Sequence, residues 1–196
     1  MKHHIIISGT GRVGTTFLVQ LLTALDYGTG YARSETAVTE ESHAGLEKDI
    51  REPDAPYIVK SPFLCDYLHE IMASGNYTID HALIPIRDLF SAAESRRHVS
   101  GPHPEAPPNS IPGGIWDTAD PLQQEAVLMR KFYDLMQALA AWNIPFTLLH
   151  FPRLACDPHY LYAKLQPVFR DLRFESFVKS FAATTDPRLI HAYTPK

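Results

Sequence analysis

The stretch Ile7–Thr16 reads ISGTGRVGTT. Gly9 and Gly14 keep the glycine spacing of the phosphate-binding pattern G-x-x-x-x-G-K-[ST], but Thr15 stands where the lysine belongs. A cation instead precedes the second glycine by two residues, as Arg12. In such a turn the backbone N–H groups of Gly11, Arg12, Val13 and Gly14 converge on an anion. A helix starting near Gly14 adds the positive end of its dipole, and Thr15 and Thr16 add hydroxyl donors. The pattern suits one bound phosphate. The absent lysine argues against a nucleoside triphosphatase, because that lysine reaches the outer phosphates.

Further along, IRDLFSAAES places Arg87 at the end of an apolar run and Ser95 eight residues later. At that spacing both reach one phosphate, provided a strand ends at Arg87 and a helix carries Ser95. Lys60 closes another short apolar run, YIVK. The stretch YARSETAVTEESH holds candidate proton acceptors: Glu35 first, with Glu40, Glu41 and His43 open. In SRRH, Arg96 and Arg97 are further phosphate contacts, one of which faces solvent.

These residues need elements to position them. His3–Ser8 reads as a strand, and the run from Phe17 to Leu25 as a helix apolar on nearly all sides. Tyr57–Lys60, Thr78–Ile86 and Pro145–His150 read as further strands, the second of them central. Pro85 marks the end of a ladder. Helices are predicted from Phe63 to Ala73, from Asp88 to His98 and from Pro121 to about Trp142, the last with Asp120 as N-cap. Another opens at Asp157-Pro158 and runs to about Phe169, or less far if Pro167 stops it. The tail from Asp171 is weakly patterned. Between Ser100 and Ala119, prolines 102, 104, 107, 108 and 112 and glycines 101, 113 and 114 break regularity, so this reads as a lid, a binding loop or a disordered stretch. Trp116 within it either stacks on a ligand or anchors the loop.

Strands alternating with helices imply an α/β chain with a central parallel sheet covered on both faces. Ligands then bind at the carboxyl ends of the strands. Lys60, Arg87 and the glycine turn all fall just after strands, so one sheet edge collects the cations.

Composition sets the bounds. At 196 residues and 45% apolar, the chain has the material for one domain spanning 1–196 with a real core. A net charge of -4 gives no reason to expect nucleic acid or an anionic membrane as partner. Cys65 and Cys156 lie in no metal or redox pattern and read as reduced thiols. The apolar run Ile5–Ile7 is too short for a signal peptide, and none approaches the roughly 20 residues that span a bilayer. The expectation is a cytoplasmic protein. His103, His150 and His159 show no metal-ligand spacing.

With these motifs in view, the chain resembles the sulfotransferases that use 3'-phosphoadenosine 5'-phosphosulfate (PAPS). That family carries a modified phosphate loop, [KR]-x-G-T-T, which Arg12–Thr16 (RVGTT) matches. Its second motif, R-x7-S, grips the 3'-phosphate of the donor, and Arg87 to Ser95 fits it. VKSPF, Val59–Phe63, is similar to the K-x-P-F stretch of the protein-tyrosine and bacterial branch, where the lysine sits near the bridging oxygen of the donor. FPRLACDPHYLYAKL resembles the region after the family's fourth strand, with Arg153 replacing an acidic residue.

The resemblance implies a three-layer P-loop fold of the nucleotide-hydrolase type. It also implies a sulfuryl group moved from PAPS to an acceptor hydroxyl, with 3',5'-adenosine bisphosphate (PAP) as product and no metal required. Lys60 and Arg12 would be catalytic, Glu35 the base, and Gly11, Arg12, Val13, Gly14, Thr15, Thr16, Arg87 and Ser95 would bind the donor. The branch that uses a histidine after the catalytic lysine is excluded by Pro62. The cytosolic branch closes over its nucleotide with R-K-G-x-x-G, which is missing here. Arg170, Arg173 or the proline-rich loop replaces it, or the site is more open. The rival readings are a P-loop kinase of a small metabolite and a non-catalytic nucleotide-binding module. The acceptor and the oligomeric state are not encoded in any motif.

Overall fold

The computed structural model describes residues 1–36, 44–103, 105–191 and 193. Strands β1 (Lys2–Ile7), β2 (Ile58–Lys60), β3 (Tyr77–Ile86) and β4 (Phe146–His150) form one sheet in the order β2-β1-β3-β4. Every pairing is parallel. The helices are α1 (Thr15–Ala24), α2 (Leu64–Ala73), α3 (Leu89–Ser100), α4 (Gln124–Ala141), α5 (Arg153–Cys156), α6 (Pro158–Leu165) and α7 (Phe174–Thr184).

Each face of the sheet has its own core, because successive strand residues point to opposite sides. Ile5, Ile7, Leu83 and Leu149 pack with Leu18, Leu22, Leu161 and Phe177, under α1, α6 and α7. Ile6, Val59, Ala82 and Ile84 pack with Leu68, Ile71, Leu135 and Leu139, under α2 and α4. The α/β architecture with helices on both faces therefore follows from the near-continuous apolar runs of β1 and β3. An irregularity keeps β3 in phase: His4 pairs with Ile79 but Ile5 with His81, so Asp80 is an extra residue. Without it Ile79 and Ala82, three apart, would face opposite sides; with it both join the second core.

Pro85 has a local meaning. Leu83 O accepts from Ser8 N on the β1 side, and Ala82 N donates to Pro145 O on the β4 side. Pro85 therefore turns its missing N–H toward β1, just past the end of that strand. The β1 ladder stops at Leu83, as the proline predicts, while the β4 ladder continues through Pro85 and Ile86.

Two expectations are corrected. The segment after Asp171 is not weakly structured: it carries α7, whose Phe177 is fully buried and whose Phe181 meets Phe17 edge-on at 5.6 Å. This covers the outer side of α1, which explains why α1 is apolar on nearly all sides. Pro121 begins a 3-10 turn, Pro121–Gln123, and the α-helix starts only at Gln124; Asp120 does cap, accepting from Leu122 N at 2.9 Å. Among the described residues, no helix is long and apolar enough to cross a membrane. Cys65 and Cys156 are free thiols.

Candidate functional site

Because the sheet is parallel, the carboxyl ends of all its strands lie along one edge. A cavity of about 390 Å³ opens there. Its anion-competent wall is Gly11, Arg12, Thr15, Thr16, Lys60 and Arg87, joined by Ser95 and Arg96. The other wall is apolar, with Phe17, Phe63, Ile111, Ile115 and Trp116.

The glycine turn is built by positive backbone angles. Gly9, Gly11 and Gly14 have φ of 138°, 69° and 88°, and Gly14 is the left-handed N-cap of α1. First-turn amides of a helix have no intrahelical acceptor, and here that turn lines the cavity through Thr15, Thr16 and Phe17. Arg12 is also left-handed, at φ 58°, an unfavourable conformation for a residue with a Cβ. Two neighbours hold it: Arg87 Nη1 donates to Arg12 O at 3.0 Å, and Arg12 Nε donates to Ser95 Oγ at 2.9 Å. Val13 is buried and contributes no lining surface.

Lys60 ends β2 and is only 3% exposed. Its Nζ donates to Thr16 Oγ1 at 2.8 Å and to Glu47 Oε1 at 2.7 Å, and also to Gly45 O. The segment carrying Glu47 is pinned by a bond from Lys48 N to Lys60 O. Burial pushes the Lys60 pKa below the ordinary lysine value, and the Glu47 carboxylate opposes part of that shift.

Arg87 is held from several directions. Its second terminal nitrogen donates to His191 O, and its guanidinium lies 4.9 Å from the Phe151 ring centroid and 5.7 Å from that of Tyr193. Ser91 Oγ donates to Tyr193 O at 3.2 Å. Burial lowers the pKa of both Arg87 and Arg12. The described part of the segment after α7 thus reaches this edge, and Thr184, Asp186, Ile190 and His191 line the cavity.

Of the residues singled out in the sequence, the cavity collects Gly11, Arg12, Gly14, Thr15, Thr16, Lys60, Arg87 and Ser95. It does not collect Glu35, whose exposed 3-10 turn uses the carboxylate locally, accepting from Ala32 N at 2.8 Å. Glu40, Glu41 and His43 lie outside the described residues, as does Pro104. Glu47 is the carboxylate that lines the cavity beside Lys60; no spacing rule connects residues 13 apart, so only the fold could find it. Trp116 is buried as an anchor, edge-on to Phe63 at 5.5 Å with Lys131 Nζ 5.3 Å from its ring, yet one side still lines the cavity. In the SRRH run, Arg97 pairs outward with Glu94 and Glu125 while Arg96 points inward.

Neither the models of known families nor the curated proteins provide a match to this chain.

Proposed function

We propose that the chain is a sulfotransferase with a P-loop core, moving a sulfuryl group from PAPS to an acceptor hydroxyl. The observation that carries this reading is that both ends of the R-x7-S spacing bind Arg12, one at its carbonyl and one at its side chain. These contacts support reading the two stretches as parts of one anion-binding wall.

In the proposed reaction the acceptor oxygen attacks sulfur in line. The new S–O bond forms as the bond from sulfur to the phosphate oxygen breaks. The acceptor proton passes to a carboxylate, for which Glu47 is better situated than Glu35. Charge building on the departing phosphate is met by Lys60, Arg12 and the glycine-turn amides, in a partly dry site where such interactions are strong. Arg87 and Ser95 hold the 3'-phosphate, which requires the guanidinium to exchange its carbonyl partner at His191 for the ligand. The apolar wall of Phe17, Phe63 and Ile115 would receive the body of the acceptor.

Calorimetric titration with 3',5'-adenosine bisphosphate, and separately with ATP and magnesium, tests the reading on wild type and Arg87→Ala. Tight bisphosphate binding weakened in Arg87→Ala is expected. Binding of ATP with magnesium, and none of the bisphosphate, would overturn it in favour of a kinase.

A further inference from the structure

Arg96 is 6% exposed, and among the described residues no carboxylate pairs with it. Its Nη2 donates to Thr10 O at 2.6 Å and its Nη1 to Gly114 O at 2.5 Å. The guanidinium lies 5.1 Å from the Trp116 ring centroid. Its Nε is buried and has no partner among the described residues. Burial, and secondarily the nearby Arg12 charge, disfavour its charged form. A buried guanidinium balanced by two carbonyl dipoles and one aromatic ring, with no carboxylate among the described residues, is costly, so ordinary packing does not account for an arginine on this face of α3.

The surroundings are shaped to it. A Cβ built on Gly11 would stand 2.5 Å from Nη2, and Gly11 sits at φ 69°. Gly114 belongs to a loop closed by reciprocal bonds: Asn109 Nδ2 to Asp117 Oδ1 at 2.8 Å and Asp117 N to Asn109 Oδ1 at 3.0 Å. Lys131 bridges Asp117 to Asp66 on α2, at 2.6 and 2.5 Å. The loop is thus fastened to the body by Lys131, by Ile115 N donating to Ser100 Oγ at 2.8 Å and by Trp116 N donating to Gln124 Oε1 at 2.7 Å, and to the glycine turn by Arg96.

We infer that Arg96 is a positioning residue, a buried bracket tying the glycine turn at Thr10 to the 109–117 loop at Gly114, so that the anion wall and the loop respond to a ligand as one unit. The planar fork of an arginine presents two separate nitrogens in fixed directions to carbonyls on different segments, a geometry that the single nitrogen of a lysine does not reproduce. The bracket stands on the contacts alone; its coupling to a ligand rests on the reading that the cavity takes a nucleotide bisphosphate.

Hydrogen exchange read by peptide mass spectrometry tests it on wild type, Arg96→Lys, Arg96→Met and the control Arg97→Met, with and without 3',5'-adenosine bisphosphate. In wild type the bisphosphate should slow exchange in both residues 10–16 and residues 113–117. In Arg96→Lys and Arg96→Met, exchange at 113–117 should be about tenfold faster without ligand, the scale of one charge-assisted hydrogen bond. Ligand should then protect 10–16 alone. Arg97→Met should behave as wild type. If Arg96→Met does not fold, Arg96→Lys decides. Unchanged exchange at 113–117 in folded Arg96→Lys, or joint protection surviving in it, would overturn the bracket. If wild type binds no bisphosphate, the functional reading fails, and the ligand-free comparison still decides the bracket.

Discussion

Arg12 Nε donates to Ser95 Oγ at 2.9 Å, joining the glycine turn to α3 across 83 positions of sequence. The bond fixes a left-handed arginine beside the cavity, and a hydrogen bond from a charged donor contributes more than a neutral one. Ser95→Ala should therefore weaken bisphosphate binding by about tenfold or more and destabilise the fold by about 1–3 kcal/mol, because Arg12 Nε loses this buried acceptor. Calorimetry with a parallel thermal melt checks this; unchanged affinity would remove Ser95 from the anion wall.

Lys60 gives a pH dependence with a definite sign. Its folded pKa lies below the ordinary lysine value, so the unfolded chain holds more protons between the two values. The cost of its buried charge is present below the folded pKa and is relieved as pH rises through that window. Bisphosphate affinity runs the other way: it should fall on an alkaline limb that begins below the ordinary lysine range. Lys60→Arg, permanently charged, should lack the limb, and Glu47→Gln should move it to still lower pH by removing the opposing charge. Affinity measured across pH 7 to 10.5 checks all three.

Glu47 and Glu35 separate by their surroundings. Glu47→Gln removes the carboxylate beside Lys60 and should lower turnover by about 10²–10⁴-fold, the usual scale for a general base. Glu35→Gln should leave turnover near wild type, since its carboxylate serves its own 3-10 turn. The reverse order of effects in a sulfuryl-transfer assay would return the role to Glu35.

Gly14 tests the turn itself. Its φ of 88° disfavours any Cβ, and one built there would meet Leu154 Cδ1 at 3.0 Å and Phe151 Cδ2 at 3.1 Å. Gly14→Ala should cost about 1–3 kcal/mol in chemical denaturation and disturb the first turn of α1. A variant as stable as wild type would contradict the left-handed cap.

Phe177 tests the packing of α7. It is fully buried against Tyr162 and Phe181, with ring centroids 5.5 and 5.8 Å away. Phe177→Ala should destabilise the protein by about 3–5 kcal/mol in urea titration. A loss under about 1 kcal/mol would show α7 to be a detachable appendage.

The strands were readable because each is a short apolar run stopped by glycine, proline or a charge; β1 and β3 fall within a residue or two of their expected ends. Helix α7 was not, because its pattern is meaningful only against α1: Phe177 and Phe181 bury surface that α1 leaves uncovered. Lys60, Arg87 and the glycine turn could be assigned to one edge from sequence, since parallel strands end together. Their mutual contacts could not. Arg87 reaching Arg12 O, and Lys60 reaching Glu47, depend on side-chain directions and loop paths that no spacing encodes.

By itself, then, the sequence determined the α/β layering and which edge of the sheet is cationic, because both follow from local periodicity and from chain direction in a parallel sheet. Only the tertiary structure decided which acid stands beside Lys60, which arginine of the adjacent pair turns inward, and what covers Arg87. Those outcomes are contests between burial and solvation among segments far apart in the chain. Glu47 is held beside Lys60 by the bond from Lys48 N to Lys60 O, whereas Glu35 is spent on its own turn. Arg96 is drawn in by two carbonyls, while Arg97 is drawn out by Glu94 and Glu125.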